Sequence, residues 1–344
     1  MITCAVGAES AVKESALNDG WRLAFSRPGF VTLKHEELRE PPQGIFIRTA
    51  SRSIGSARNG SLRLLTQTLV EKLNQQFDTS RPFNQLHVWS KDRAPIGRFG
   101  FEPGPDEVSE AVSQEIFPLI SQDWLTCDQP NRIAESGDRV LDLVLVEPAH
   151  WFLGWHQASD WHTRWPGGVQ PIKPTNETIS RAYFKAAESI TWSGFPIRRG
   201  QTAIEIGSAP GGACGRLLEL GLNVIGIDPA EMDPTIANHD CFQHIQARAG
   251  DLPRKVFRGA KWLLVDSNVA PEKTLTTLKN IVTHRYCTLE GLLVTLKIGN
   301  YLASNKISAW QSEIQSWKPS RVRVRQLSRN KVEVCFAISF TRVS

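Results

Sequence analysis

The chain has 344 residues, 41% of them hydrophobic and 22% charged, with a formal net charge of +5. These proportions exclude a disordered chain and leave room for two domains of ordinary size, while the charge leans toward acidic partners without requiring one. Six scattered cysteines (Cys4, Cys127, Cys214, Cys241, Cys287 and Cys335) form no CxxC and no zinc-finger spacing with histidine, so reduced thiols and no metal site are expected.

The start, "MITCAVGAES", lacks the basic and apolar blocks of a targeting segment, and no apolar run reaches bilayer length. A soluble, cytoplasmic protein with no membrane partner is expected. Residues 1–45, with "WRLAFSRPGFVTLK", read as a small α+β element. Residues 46–165 continue as α+β: "SLRLLTQTLVEKLNQQF" repeats apolar residues at helical spacing, "NQLHVWSK" reads as a strand, and "DRVLDLVLVE" and "HWFLGWHQ" read as two more around a turn at Pro148. Arg48, Arg52, Arg58 and Arg63 give this region a basic segment, suited to phosphate contacts or to an ordinary solvated surface. In "HWFLGWHQASDWHTRW", His150, His156 and His162 recur every six residues, which fits neither helix nor strand ligand geometry, so packing between domains is expected.

Pro and Gly cluster in "RWPGGVQPIKPTNET", Arg164 to Thr178, and a third region, 166–344, begins there. Its pattern alternates. "SRAYFKAAESITW" reads as a helix, "TAIEI" as a strand, "ACGRLLELG" as a helix, and "NVIGID" and "WLLVDS" as strands. "EKTLTTLKNIVTHRY" reads as a helix and "GLLVTLKIG" as a strand; "SRVRVRQL" and "KVEVCFAISF" form a terminal hairpin. The fold class is therefore α/β, a Rossmann-like doubly wound sheet with a C-terminal antiparallel hairpin, preceded by an α+β region. Arg321, Arg323 and Arg325 alternate with valines and share one strand face, suited to gripping RNA backbone or to facing solvent.

In such a sheet, ligands bind beyond the carboxyl ends of the strands. Gly207, Gly211 and Gly212 follow the strand "TAIEI" and permit close approach of backbone to a ligand. Asp228 ends the next strand, placed to accept hydrogen bonds from ribose hydroxyls. The order G-S-A-P-G-G is neither a GxGxxG dinucleotide fingerprint nor a P-loop. An adenosine ligand without a pyrophosphate fits better, and S-adenosylmethionine is such a ligand. Asp251, in "RAGDLP", is placed to meet its adenine amino group.

The acceptor atom is read from the later strands. No Asn/Asp-Pro-Pro-aromatic stretch for base-amino methylation follows the fourth strand, and no Pro-Cys for pyrimidine carbon-5 methylation occurs. Four polar residues remain: Lys185 on the helix before the first strand, Asp266 ending the fourth strand, Lys297 ending the fifth, and Glu333 on the last strand. Lys297 falls within the apolar run "LLVTLKIG", an expensive place for an ammonium unless it is paired or reactive, although a snorkelling lysine explains it as well.

Together, "SRAYFK", "GSAPGG", "LLVDS", "VTLKIG" and "VEVCF" resemble the FtsJ-type ribose 2′-O-methyltransferases, whose tetrad is Lys-Asp-Lys-Glu in this order. The resemblance implies that Ser180, Ala209, Pro210, Gly211, Gly212, Asp228, Asp251 and Asp266 line an S-adenosylmethionine site. It implies that Lys297 accepts the proton, Asp266 orients the reacting groups, and Lys185 and Glu333 position the ribose and steady Lys297. A ribose hydroxyl needs such a base, and an ordinary lysine, which titrates at about pH 10.4, is mostly protonated at neutral pH. Burial and Lys185 push Lys297 one way, and Asp266 and Glu333 the other. One residue departs from the pattern: Ala213 stands where the family usually has an aromatic. The whole chain is similar to the RlmM branch, through "FSRPGF", the helix–strand pattern from Ser61 to Lys91 and "VLDLVLVEPAHWFLGW". That branch implies an RNA-binding region with a THUMP module over 46–165 and a cytidine ribose of bacterial large-subunit rRNA as substrate, met before subunit assembly. The same chemistry on tRNA or an mRNA cap, or a non-catalytic ribosome assembly factor, are the other readings. A monomer suffices for the chemistry.

Overall fold

A computed structural model describes residues 1–120 and 124–340. The chain divides into two units, Met1–Pro171 and Ile172–Ser344, at a point inside the Pro/Gly-rich stretch that sustains neither helical nor strand periodicity.

The first unit runs β1 (Ile2–Thr3), α1 (Glu9–Asn18), β2 (Arg22–Arg27), β3 (Phe30–Lys34), β4 (Thr49–Ala50), β5 (Arg52–Arg58), α2 (Leu62–Gln76), β6 (Gln85–Ser90), α3 (Glu107–Ile116), β7 (Arg139–Glu147) and β8 (His150–Gln157). Among the described residues it holds two four-stranded sheets, ordered β2-β3-β1-β4 and β5-β8-β7-β6. Leu65, Leu69 and Leu73 recur at helical spacing on α2, whose first turn is capped by Ser61 accepting from the Leu64 amide. They pack with Leu141, Leu143 and Leu145 of β7 in one core. The alternate β7 residues Val144 and Val146 join Met1, Phe30 and Phe152 in a second core between the sheets. A strand buried on both faces explains why "VLDLVLV" is almost continuously apolar.

The stretch with four tryptophans belongs to this architecture. Trp151 is a core residue and Trp155 packs against the same cluster, so these two rings serve the first unit's own interior. His156 pairs with the buried Asp142 at 2.6 Å and also meets the Thr163 carbonyl oxygen at 2.7 Å. Arg48 departs from the expected basic surface: it is buried and holds Asp92 through two bonds of 2.6 and 2.8 Å.

The second unit runs α4 (Ala182–Ser193), β9 (Thr202–Ile206), α5 (Gly212–Glu219), β10 (Asn223–Ile227), α6 (Pro234–Ala237), β11 (Phe242–Ile245), β12 (Trp262–Val265), α7 (Pro271–Val282), β13 (Gly291–Lys297), α8 (Ser304–Ser316), β14 (Arg321–Arg325) and β15 (Glu333–Ser339). Its seven strands are ordered β11-β10-β9-β12-β13-β15-β14. Strands β9 to β13 are parallel, and β15 is antiparallel to both its neighbours. The chain moves outward from β9 to β11 and then returns to the other side of β9 as β12, which makes a switch point between β9 and β12. The stripe of Arg321, Arg323 and Arg325 does not simply face solvent. Arg323 stacks on Trp192 of α4, with its guanidinium carbon 4.6 Å from the ring centre.

We predict that Asp92→Ala, which removes the carboxylate paired with the buried Arg48 guanidinium, costs about 3–5 kcal/mol of stability in urea unfolding. A loss under about 1 kcal/mol would mean that the pair is solvated on average.

Candidate active site

Strand alternation decides which side chains meet. On β13, Leu293, Thr295 and Lys297 share one face, and β15 sets Ala337, Cys335 and Glu333 directly opposite them. On β12, Trp262 and Leu264 share that face, and Asp266 follows one step beyond the strand. Helix α4 covers this side, with Ala182 and Ala186 small enough to bring it close, and it carries Lys185 between them.

The Lys185 ammonium donates to Asp266 Oδ2 at 2.6 Å and to Glu333 Oε2 at 2.9 Å. Its side chain is 15% exposed, that of Glu333 9%. Burial draws the Lys185 pKa down, but the attraction and hydrogen bonds of Asp266 and Glu333 outweigh it and leave the value raised. Lys185 therefore stays charged and serves as a fixed cation. Lys297 ends its strand as the sequence implied, but its side chain does not sit in apolar surroundings. As the last residue of β13 it lies where the sheet ends; it is exposed rather than buried, and its Nζ donates to Asn268 Oδ1. Its register partner is Glu333.

The glycine loop leaves β9 at Gly207, whose φ is +85°. A Cβ there would stand 2.5 Å from the backbone carbonyl oxygen of Asp266, so only glycine lets the two strand ends approach this closely. A pocket of about 460 Å³ opens at the switch point, with Gly207, Ala209, Asp228, Asp251, Asp266 and Asn268 in its wall. Asp228 also fixes the loop, accepting from the Ala209 amide at 3.3 Å and the Ala230 amide at 2.8 Å. Ser180, Pro210, Gly211 and Gly212, expected to line the cofactor, are not part of that wall among the described residues. Gly211 and Gly212 are tightly packed instead. A Cβ on Gly212 would overlap Ser180 Oγ at 2.1 Å, and one on Gly211 would meet Ile236 at 2.8 Å.

Sequence reasoning missed three polar residues here. Asn268 lies two positions after Asp266, in a stretch read only for its missing Pro-Pro pattern. Glu188, one turn after Lys185 and 2% exposed, accepts from the Ser328 amide at 2.8 Å, the Ser328 hydroxyl at 2.5 Å and the Arg329 amide at 3.1 Å. It thereby holds the loop that leads into Glu333. Glu205, in the central strand, is 2% exposed and accepts from the Cys214 thiol at 2.9 Å. Burial pushes its pKa up to about 8. The signal for Glu205 was present: an acid inside "TAIEI", a strand buried on both faces, cannot be a surface residue.

No family model matches the chain. A ribosomal RNA large subunit methyltransferase M from Aromatoleum aromaticum is 26% identical over 277 residues, covering 78% of this chain and 64% of that protein. One from Xylella fastidiosa (strain M12) is 25% identical over 200 residues, 56% of each. The chain thus spans less than two thirds of the length of these curated relatives. They carry the name of the branch that the sequence motifs resemble. Among solved structures, the fibrillarin pre-rRNA processing protein of Methanococcus jannaschii is 11% identical, with a TM-score of 0.38 over 59% of this chain and 89% of that one. A Burkholderia thailandensis 1,6-didemethyltoxoflavin-N1-methyltransferase bound to S-adenosylhomocysteine is 13% identical, with a TM-score of 0.35 over 47% and 79%. The α/β, Rossmann-like class rests on the strand order itself.

Two outcomes test this geometry. Gly207→Ala should weaken S-adenosylmethionine binding about tenfold or more in calorimetry, because its backbone conformation and the Asp266 carbonyl both exclude a Cβ; unchanged affinity would show that the loop relaxes at no cost. For Glu205 the sign follows from its raised value. Its contribution is fully present below the unfolded carboxylate value and is lost as pH rises through about 8. The urea midpoint should therefore fall between pH 7 and pH 9, and fall less in Glu205→Gln; equal falls would mean that Glu205 is already ionised at pH 7.

Proposed function

We propose that this chain is an S-adenosylmethionine-dependent RNA ribose 2′-O-methyltransferase whose substrate is a cytidine 2′-hydroxyl in bacterial large-subunit rRNA. The observation that carries the reading is the Lys185 ammonium held between Asp266 and Glu333 beside the 460 Å³ pocket, with Lys297 opposite Glu333 across paired strands. The FtsJ-type resemblance supports the ribose acceptor. The curated relatives' name supports ribosomal RNA, and the branch resemblance implies that it is met before subunit assembly. On this reading the Lys185, Asp266, Lys297 and Glu333 side chains are the reacting cluster, residues 46–165 form a THUMP-like RNA-binding domain, and the protein acts in the cytoplasm as a monomer.

The pocket suits the cofactor. Its volume, the backbone exposed at Gly207 and Ala209, and the carboxylates of Asp228 and Asp251 match an adenosine whose ribose hydroxyls and amino group are hydrogen-bond donors. When bound, S-adenosylmethionine supplies an electrophilic methyl group on a sulfonium. The residues of the chain then do two things. They fix the substrate hydroxyl at reacting distance, an effect that removes much of the entropic barrier, and they take its proton. Lys185 is unsuited to the second task, because two carboxylates hold its proton in place. Lys297 is exposed to an incoming ribose at the end of β13, with the Asn268 carboxamide as its described partner, and on this reading it is the group that accepts the hydroxyl proton. Asp266 and Glu333 keep the cluster's charge close to balance as the proton is taken.

Unmodified large-subunit rRNA incubated with labelled cofactor, then digested to nucleosides for mass spectrometry, tests the proposal. We expect 2′-O-methylcytidine, reduced about 100-fold or more in Lys297→Ala. Label on a base would overturn the ribose chemistry. Transfer to tRNA or capped RNA but not to rRNA would overturn the substrate and keep the chemistry.

A further inference from the structure

Behind the Lys185–Asp266 pair lies a cavity of about 30 Å³, with Lys185, Ser189, Glu205, Ala213, Asp266 and Thr295 in its wall. Ala213 on α5, where a larger side chain would fill the gap, leaves this space open against α4. The volume accommodates a water, and a water in such a site needs two to four polar partners, which this wall supplies.

Glu205 projects to this side from β9, between Ala203 and Gly207 on the same face as Asp266. The groups that bear on it are Asp266 from β12, Asp228 from β10 and Cys214 from α5, with Lys185 of α4 and Cys335 of β15 around the same cavity. Burial raises the pKa of both thiols, so they are neutral. An ionised Glu205 would become a further anion in an interior where the ammonium of Lys185 already serves Asp266 and Glu333. The uncharged acid avoids that competition and can donate a hydrogen bond.

We propose that Glu205 is a positioning residue of this site: as an uncharged acid, joined through a water in the cavity to Lys185 and Asp266, it keeps their ion pair in the reactive arrangement, and its ionisation draws Lys185 away from Asp266. The inference rests on the methyl-transfer reading given above. The proton that Glu205 loses passes to solvent, and no other bond changes. The burial that pushes its pKa up to about 8 agrees with an acid that is uncharged at neutral pH.

The test compares single-turnover methyl transfer to rRNA by wild type and Glu205→Gln from pH 6.5 to pH 9, which are roughly the limits set by a group titrating near 8. Taking the ratio of the two rates cancels any pH effect that both proteins share. Whatever its value at pH 7, the ratio of variant to wild type should rise by up to about tenfold at pH 9, where most of the wild-type Glu205 is ionised. A flat ratio, with Lys297→Ala inactive, overturns the role of Glu205 and leaves the methyl-transfer reading intact. Transfer that survives in Lys297→Ala overturns the reading on which it rests. Infrared spectroscopy of wild-type protein carrying ¹³C-labelled glutamate gives a readout without turnover and without dependence on the variant's folding. A protonated carboxylic acid band at pH 7 that disappears by pH 9 is expected, and its absence at pH 7 overturns the inference.

Discussion

An ammonium group removed from water must find anions, and in this fold that requirement fixes the positions of three elements at once. Lys185 comes down from α4, Asp266 comes off the end of β12, and Glu333 begins β15. Parallel strands all finish at one edge of the sheet. A residue at the start of a strand reaches that edge only if its strand runs the other way. The insertion of β15 antiparallel to β13 meets this condition and sets Glu333 opposite Lys297, the last residue of β13. The switch point between β9 and β12 opens its pocket at the same edge. Pocket and ion cluster are thus neighbours for a topological reason.

Polar groups that stay buried keep these elements in place. Glu188 takes hydrogen bonds from the Ser328 amide and hydroxyl and from the Arg329 amide, while Asn330 Oδ1 takes one from the Leu327 amide at 3.0 Å. Gln326 donates to the Tyr301 hydroxyl at 2.9 Å. A connection between β14 and β15 that would otherwise carry unpaired backbone groups is satisfied from α4, the helix that also supplies Lys185. One helix therefore sets both partners of the Lys185–Glu333 bond. Gly207 plays the corresponding part at the other carboxylate, since its missing side chain lets β9 pass against the Asp266 carbonyl.

Much of this was legible in the sequence, and the failures share a cause. Strand–helix alternation after Thr178 and the period of Leu65, Leu69 and Leu73 survive because they reflect burial directly. Lys297 lies at the end of its strand, where the sequence put it, but the apolar run before it did not tell that its side chain stays exposed. Glu205 was overlooked because attention went to the glycine loop and the strand ends, although an acid inside a strand of a parallel sheet covered on both faces must turn inward. Arg48 looked like part of a basic surface because its partner, Asp92, is 44 positions away and carries no local mark. Helices α1, α3 and α8 were not anticipated: α1 and α8 have weakly segregated faces, and α3 is announced by a capping box whose closing residue is Ser109 instead of an acid or amide.

The two lysines of the cluster show how one side chain takes two parts. Lys185 and Lys297 carry the same ammonium, so any difference between them is a difference of surroundings. Lys185 is mostly buried, and two carboxylates hold its proton. Lys297 sits at an exposed strand end, with a carboxamide as its described partner. On the proposed reading the first is the charge that assembles the site and the second the group that acts in it. A second lysine with the first one's partners would be locked, and a first lysine without them would leave Asp266 and Glu333 repelling each other. The division of labour follows from where β13 ends and α4 passes, not from any chemical distinction between the residues.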